Sequence, residues 1–401
     1  MARRVGVVAV LTAFALSACG SDEAPTSGAT TTPSPLSTAT VAATSTPAAT
    51  PLPSLVVHAG ESIQAAIDAA APNSRILVEP GVYQESSTRE NGLTITTDGL
   101  QLIALSPAEN PVVLTSAGTQ LNGIWVSPAD TVGAPDDENP PCGISGTLVH
   151  GFALKGFTLR GFGQFGVYLA CNDGYTLDGN IADGNRFYGL FPVRSHNGAL
   201  TNNEALNTPK DAAIYVGQSD HVTVSGNHSH DSLIGIEVEN SSDVTVNNNE
   251  VDNDTVGLLA DAVPGVQQEG QTNIVFTGNK VHDNNRPNTG EPPDFTSVIP
   301  PGSGILTSSG SNITIQGNQV SNNGFGGIVI DSYFLPYPMH VRVLDNTLTA
   351  NGLHPPPTPG LAAFAGDVIW DGQGTDVCAR GNTAAAHVTV KGMSGSLPTC
   401  P

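Results

Sequence analysis

Between Gly166 and Asp331 the chain repeats one phrase: a small residue, an aliphatic, a variable residue, then usually another aliphatic. It reads Gly166-Val-Tyr-Leu, Gly189-Leu-Phe-Pro, Ala213-Ile-Tyr-Val, Gly235-Ile-Glu-Val, Gly257-Leu-Leu-Ala, Gly304-Ile-Leu-Thr and Gly327-Ile-Val-Ile. Successive phrases start 23, 24, 22, 22, 47 and 23 residues apart, and 47 is two periods or one period with a loop. A fixed period of this size predicts a solenoid, in which each repeat buries its apolar face only against its neighbours. A second column runs in step: Asn180, Asn203, Asn227, Asn249, Asn279 and Asn318 each close a strand-like run such as Val222-Thr-Val-Ser-Gly-Asn. One coil is therefore a strand, a turn, a second strand, an Asn-marked bend and a third short strand. Coils stacked about 4.8 Å apart set like residues above like, so buried amides can hydrogen-bond along a ladder.

Strand alternation sorts the phrase into faces. Its second position is Val167, Leu190, Ile214, Ile236, Leu258, Ile305 and Ile328, all aliphatic and therefore inward. The third position then points outward: Tyr168, Phe191, Tyr215, Glu237, Leu259, Leu306 and Val329. Trp125 joins this column if residues 128–147 are a loop, so Trp125, Tyr168, Phe191 and Tyr215 are expected to form an exposed aromatic strip. The fifth position, also outward, brings Glu239 and Asp261 beside Glu237, next to Tyr215. Lys210 and Asp211 lead into the Tyr215 strand. Loops at 128–147, 261–272 and 283–303 are expected to wall a groove along the strip. At the other end of the domain, Ile63, Ala66, Ile67 and Ala70 share one helical face. A helix there would cover the open end of the first coil, which is otherwise an aggregation hazard.

The coil pattern resembles the right-handed parallel β-helix of the pectin-lyase-like superfamily. The fold class expected is thus all-β, a single parallel β-helix solenoid over residues 54–401 with an N-terminal capping helix. Upstream, Arg3 and Arg4 precede an apolar run from Val5 to Leu16 that is too short to span a bilayer. Leu16-Ser-Ala-Cys19 resembles the lipobox of bacterial lipoproteins. That resemblance implies a signal peptide over 1–18, cleavage before Cys19, palmitate-type lipidation of its thiol, and an extracytoplasmic protein anchored to the cell membrane or outer membrane. Residues 19–53 are Thr, Ser, Pro and Ala with almost no large apolar side chain, which predicts a disordered tether.

Composition narrows the partners. The formal charge of −22 argues against nucleic acid, which requires a basic surface, and leaves membrane contact to the Cys19 lipid alone. Of five cysteines, four remain after Cys19, an even number in an exported chain. Three pairings exist. Cys142 with Cys171 is favoured because both follow a first strand of neighbouring coils, which leaves Cys378 with Cys400, one period apart.

Flat rings stack on sugar faces, and carboxylates accept sugar hydroxyls, so the strip suits a polysaccharide or cell-surface glycan. Glu237, Glu239 and Asp261 also suit acid–base work in glycoside chemistry or Ca²⁺, and like charges this close should raise at least one carboxyl pKa. His228 and His230 put two imidazoles on one side of a strand, a pattern compatible with a metal. Residues 211–331 resemble the exported parallel β-helix repeat proteins of bacteria more closely than the superfamily at large. The matching text is Ile214-Tyr-Val-Gly-Gln-Ser219, Gly235-Ile-Glu-Val-Glu-Asn-Ser241, Val263-Pro-Gly265, Asp283-Asn-Asn-Arg-Pro-Asn288 and Ser332-Tyr333. That likeness implies export, and an exported partner protein, without an activity. No Asp-Pro-His-Asp run of the epimerase type occurs. Three readings stay open: a surface protein binding glycan or a partner along the strip, a polysaccharide lyase, hydrolase or epimerase using Glu237, Glu239 or Asp261, and a periplasmic accessory protein resembling the copper-maturation type with His228 and His230 as ligands.

Overall fold

Each phrase becomes a strand of one parallel sheet. A computed structural model of the chain describes residues 52–401 apart from 87, 89, 106–109, 132–139, 141, 143–145, 358–360, 385–387 and 391–396. The expected signal peptide, Cys19 and nearly all of the expected tether lie outside the described residues. Three sheets run the length of the domain. The first, of 11 strands, extends from Asn91–Ile95 to Val388–Val390 and holds every phrase. The second has 12 strands, from Ser54–Val57 to Cys378–Arg380, and the third 11 short strands, from Gly81–Tyr83 to Thr383–Ala384. One coil shows the order: Ala212–Gly217 in the first sheet, Asp220–Ser225 in the second, the bend at Asn227, and His228–His230 in the third. This is the parallel β-helix expected, wound with the right-handed crossover that parallel connections take.

Register is kept because each coil places one aliphatic directly over the last. Ile214, Ile236, Leu258, Ile305, Ile328 and Val368 are successive partners in the first sheet, and all are buried in the tube. The 47-residue gap is one coil with insertions, since Leu258 pairs directly with Ile305. The small first position has a steric cause: a Cβ on Gly166 would lie 2.5 Å from the Gly189 carbonyl oxygen of the next coil.

The asparagine column is a continuous ladder. From Asn180 through Asn203, Asn227, Asn249, Asn279, Asn318, Asn346 and Asn382, each Nδ2 donates to the next Oδ1 at 2.8–3.0 Å. Each of the first seven also donates to a strand carbonyl, as Asn227 does to Leu200. A second ladder at the next bend escapes a one-letter search because its members differ: Ser232, Asp254, Asn284, Asn323, Asn351 and Asp367. Asp254 is the misfit. Its Oδ1 accepts from Ser232 N at 2.6 Å and its own N–H donates to Asn284 Oδ1, but its Oδ2 is buried with no hydrogen-bond partner. Burial holds this carboxyl well above the usual carboxylate range. An amide nitrogen in place of Oδ2 supplies the donor that the other rungs carry.

Asp254→Asn should therefore raise stability at neutral pH by about 1 kcal/mol or more, the worth of a restored buried hydrogen bond. The folded pKa lies above the unfolded one. The wild-type position is therefore at its best below the ordinary carboxyl range and loses stability as pH rises through the raised folded value. Urea midpoints of the two proteins should coincide near pH 4 or below and diverge towards pH 7. A constant difference across that range would refute the argument.

The cap forms as predicted and does more than cover. Helix Ile63–Ala69 buries Ile63 and Ile67, with Ala66 and Ala70 against the core. Ser62 Oγ accepts from Ala65 N, and Glu85 accepts from the backbone of Ile63 and Gln64. Gln64 completes the sheet edge: its Oε1 accepts from Thr94 N at 2.7 Å and its Nε2 donates to Thr94 O at 3.1 Å. The edge strand thus meets a side chain where a neighbouring strand would pair. Both disulfides, Cys142–Cys171 and Cys378–Cys400, join the cysteines that register favoured.

Candidate functional site

The four rings do line up on the outer side of the first sheet. Trp125 meets Tyr168 at 4.0 Å with the rings tilted by 32°, Tyr168 meets Phe191 at 5.2 Å, and Phe191 meets Tyr215 edge-on at 4.8 Å. They are not, however, an exposed strip. Trp125 is 4% exposed, and Tyr168, Phe191 and Tyr215 are at 0%. With Phe165 and Tyr188, which occupy the outward position three residues earlier in their strands, they make a second hydrophobic core outside the tube. Six adjacent rings in water would be a patch of a size that soluble proteins rarely expose. The insertions cover them with Ile299, Phe295, Leu148 and the Cys142 disulfide. The expected exposure of Trp125, Tyr168, Phe191 and Tyr215 is thus corrected: the four rings are packed.

Asp211 is likewise buried, whereas Lys210 stays partly exposed. Tyr188 donates its hydroxyl to Asp211 Oδ2 at 2.9 Å. Lys210 reaches across to Thr289 O at 3.2 Å and to Glu291, pinning the 283–302 insertion onto the coil.

Glu237, Glu239 and Asp261 come together as alternation required. Glu239 and Asp261 are register partners, and one oxygen from each of the three carboxylates lies within 4.8 Å of the others. Tyr215 donates its hydroxyl to Glu239 Oε1 at 3.0 Å, and its ring lies across Gly217, where a Cβ would meet it at 2.1 Å. The expected open groove is absent here too: all three carboxylates are 0–1% exposed. Such a set offers three hard oxygen ligands of the kind Ca²⁺ takes, but a polymer cannot touch it while residues 262–271 lie over it. Further along the same column, burial holds the Asp331 carboxyl above its usual range, against hydrogen bonds from Ser308 and Tyr333 that act the other way.

The open surface lies beside this set. A recess of about 370 Å³ is formed by Ser241, Gln268, Glu269, Gln271, Thr272 and Ser311, with Pro336 and Met339 on its apolar side. It backs onto the acidic strands. Ser241 Oγ donates to Glu239 O at 2.8 Å. Gln271, with its amide turned to satisfy both groups, donates to Val238 O and Asp261 O at 2.8 and 2.9 Å. Sequence reasoning missed Gln268, Glu269 and Gln271 because they belong to an insertion without periodicity, and the rest because only the fold brings their separate coils to one recess. His228 and His230 stand elsewhere, side by side on the outer face of the third sheet, as alternation placed them.

The family described as right handed beta helix region matches residues 142–286 and 259–384. No curated protein matches the chain in sequence. Among solved structures it is similar to the Azotobacter vinelandii mannuronan C-5 epimerase AlgE4 A-module (18% identity, 80% of this chain, 82% of that chain, TM-score 0.58). It is similar also to the DFA-IIIase of Arthrobacter chlorophenolicus A6 in complex with GF2 (13%, 83%, 86%, 0.53). The Dettilon tailspike protein is a third likeness (11%, 84%, 60%, 0.52). At these identities the likeness shows the fold.

Proposed function

This chain belongs to the right-handed β-helix family, and from that premise we propose that it is an extracytoplasmic, lipid-anchored protein that binds polysaccharide in the recess between residues 268–272 and the strands behind them. The observation that carries the reading is the lining. Gln268, Glu269, Thr272 and Ser311 edge a concave surface with an apolar side at Pro336 and Met339, a mixture that matches the polar edges and flatter faces of a sugar. The formal charge of −22 favours a neutral glycan over a polyanion. Two fold neighbours bear the names of enzymes, a mannuronan C-5 epimerase module and a DFA-IIIase. The leader and the Cys19 motif support export and anchoring.

The test is a panel of neutral and uronate polysaccharides, read for retention and for bond cleavage. Gln268→Ala combined with Glu269→Ala should weaken retention of the bound glycan at least tenfold while leaving the melting curve in place. Retention that ignores this double change would place the site elsewhere.

A second reading, turnover, is favoured by the hydrogen bond from Tyr215 to Glu239 within the carboxylate set. It requires residues 262–271 to lift. Glu239→Gln would then abolish cleavage or epimerisation and leave binding intact, whereas a pure binding protein shows no product in either form.

A further inference from the structure

The outer face of the third sheet carries a band of imidazoles and carboxylates in strict register. Glu204, His228, Glu250 and Lys280 form one column, and Leu206, His230, Asp252 and His282 the next. Between the two histidines Ser229 turns inward and is buried, so the imidazoles stand on one side with ring centroids 4.4 Å apart. His230 is held from behind. Its Nδ1 meets Asp231 Oδ2 at 2.7 Å, and Asp231 is itself fixed by Asn253 Nδ2 at 2.6 Å and Arg286 Nη1 at 2.9 Å. Nε2 of His230 is thereby aimed at Glu204 Oε1, 3.3 Å away. If Nδ1 carries the proton donated to Asp231, Nε2 presents a lone pair to a carboxylate oxygen, an acceptor facing an acceptor. A cation between them resolves the conflict. A carboxylate behind the imidazole is also how proteins orient a metal-binding histidine and strengthen it as a ligand.

We infer that Glu204, His228 and His230 form a binding site for a divalent transition ion of the zinc class. Each offers one ligand atom, and the three atoms lie within 4.8 Å of one another. Tetrahedral zinc wants ligand atoms roughly 3.4 Å apart, from bonds of about 2.0–2.1 Å. Rotation of the half-exposed Glu204 and His228 side chains supplies the contraction, at the cost of the contact that His228 Nε2 makes with Asp252 Oδ1 at 2.7 Å, and solvent fills the fourth position. The neighbouring set of Glu250, Asp252 and His282 has the same plan, with His282 Nδ1 on Asp283 at 2.7 Å and Nε2 on Glu250 at 3.2 Å. There Lys280 Nζ already donates to Glu250 at 2.5 Å, so a cation is in place and the first set is the stronger site. This site is separate from the glycan recess and survives the loss of that reading.

The test uses the full chain after chelation, with Cys19→Ser to remove the one thiol outside the disulfides. Calorimetric titration with Zn²⁺ should show one tight equivalent, and Co²⁺ should give the visible bands of a four-coordinate nitrogen–oxygen site. His228→Ala and His230→Ala should each weaken binding more than tenfold. Asp231→Asn, which touches no metal, should weaken it 10- to 100-fold, and His282→Ala should leave the tight equivalent unchanged. Absence of stoichiometric binding would overturn the inference and leave a proton between His230 and Glu204. So would unchanged affinity in the His228→Ala/His230→Ala double variant with a native circular dichroism spectrum.

Discussion

Replacing Asn249 with alanine should lower the stability of the domain by about 4 kcal/mol. Asn249 Oδ1 accepts from both Asn227 N and Asn227 Nδ2 at 2.9 Å, and its Nδ2 donates to Val224 O and Asn279 Oδ1 at 3.0 Å. Truncation strips all four buried groups of that partner. An unsatisfied buried group costs about 1–3 kcal/mol, and members of one network do not add independently. The ladder also transmits the loss, since each amide orients the next. Urea unfolding measures the change. The exposed Thr223→Ala, on the preceding coil, serves as control and should stay within about 0.5 kcal/mol of wild type. An Asn249→Ala midpoint equal to that control would mean that the ladder is a decoration of the fold and not a support.

Phe191→Ala should be comparably severe, at about 4 kcal/mol. The ring sits at 0% exposure among Tyr188 at 4.2 Å, Tyr215 at 4.8 Å, Phe165 at 5.0 Å and Tyr168 at 5.2 Å. Its removal opens a cavity beneath the insertions, whose apolar residues then lose the surface they pack on. The experiment also separates two roles. A ring that contacts ligand would, when truncated, cost affinity and spare the melting temperature. A packing ring costs melting temperature first, and glycan retention measured below the transition stays near wild type. A stable Phe191→Ala protein that has lost binding would restore the aromatic strip as a ligand platform.

The coils were readable because their physics is local and periodic. Ile214 repeats as Ile236 and Leu258 because one inward slot has one shape, and Asn203 repeats as Asn227 and Asn249 because one bend needs one amide. The same periodicity put Glu239 beside Asp261 and Cys142 beside Cys171. What alternation reports is the side of the sheet a residue takes, not what lies above it. Trp125 and Tyr215 were therefore assigned correctly to the outer face and wrongly to solvent, since the cover comes from segments such as 283–302 that have no period. Phe165 and Tyr188 break the same alternation: standing three residues before an outward ring, they have the parity of the inward Val167 and Leu190 yet pack in the outer core. The second ladder was hidden by chemistry: serine, aspartate and asparagine all accept there, so Ser232 and Asp254 share a role without sharing a letter. The Gln64 contact with Thr94 spans two segments with no repeat to connect them, and nothing in either announces it.

Residues 262–271 and 283–302 both enter the chain between Leu258 and Ile305, yet those two aliphatics still face each other directly. Length added at a corner is invisible to the stack. Such an architecture separates inheritance from invention: the spine is constrained rung by rung, while the outgrowths can lengthen, shrink or change chemistry without asking the spine to adjust. Chimaeras that exchange these two outgrowths for segments of other lengths are thus the natural way to redirect this scaffold to a new partner.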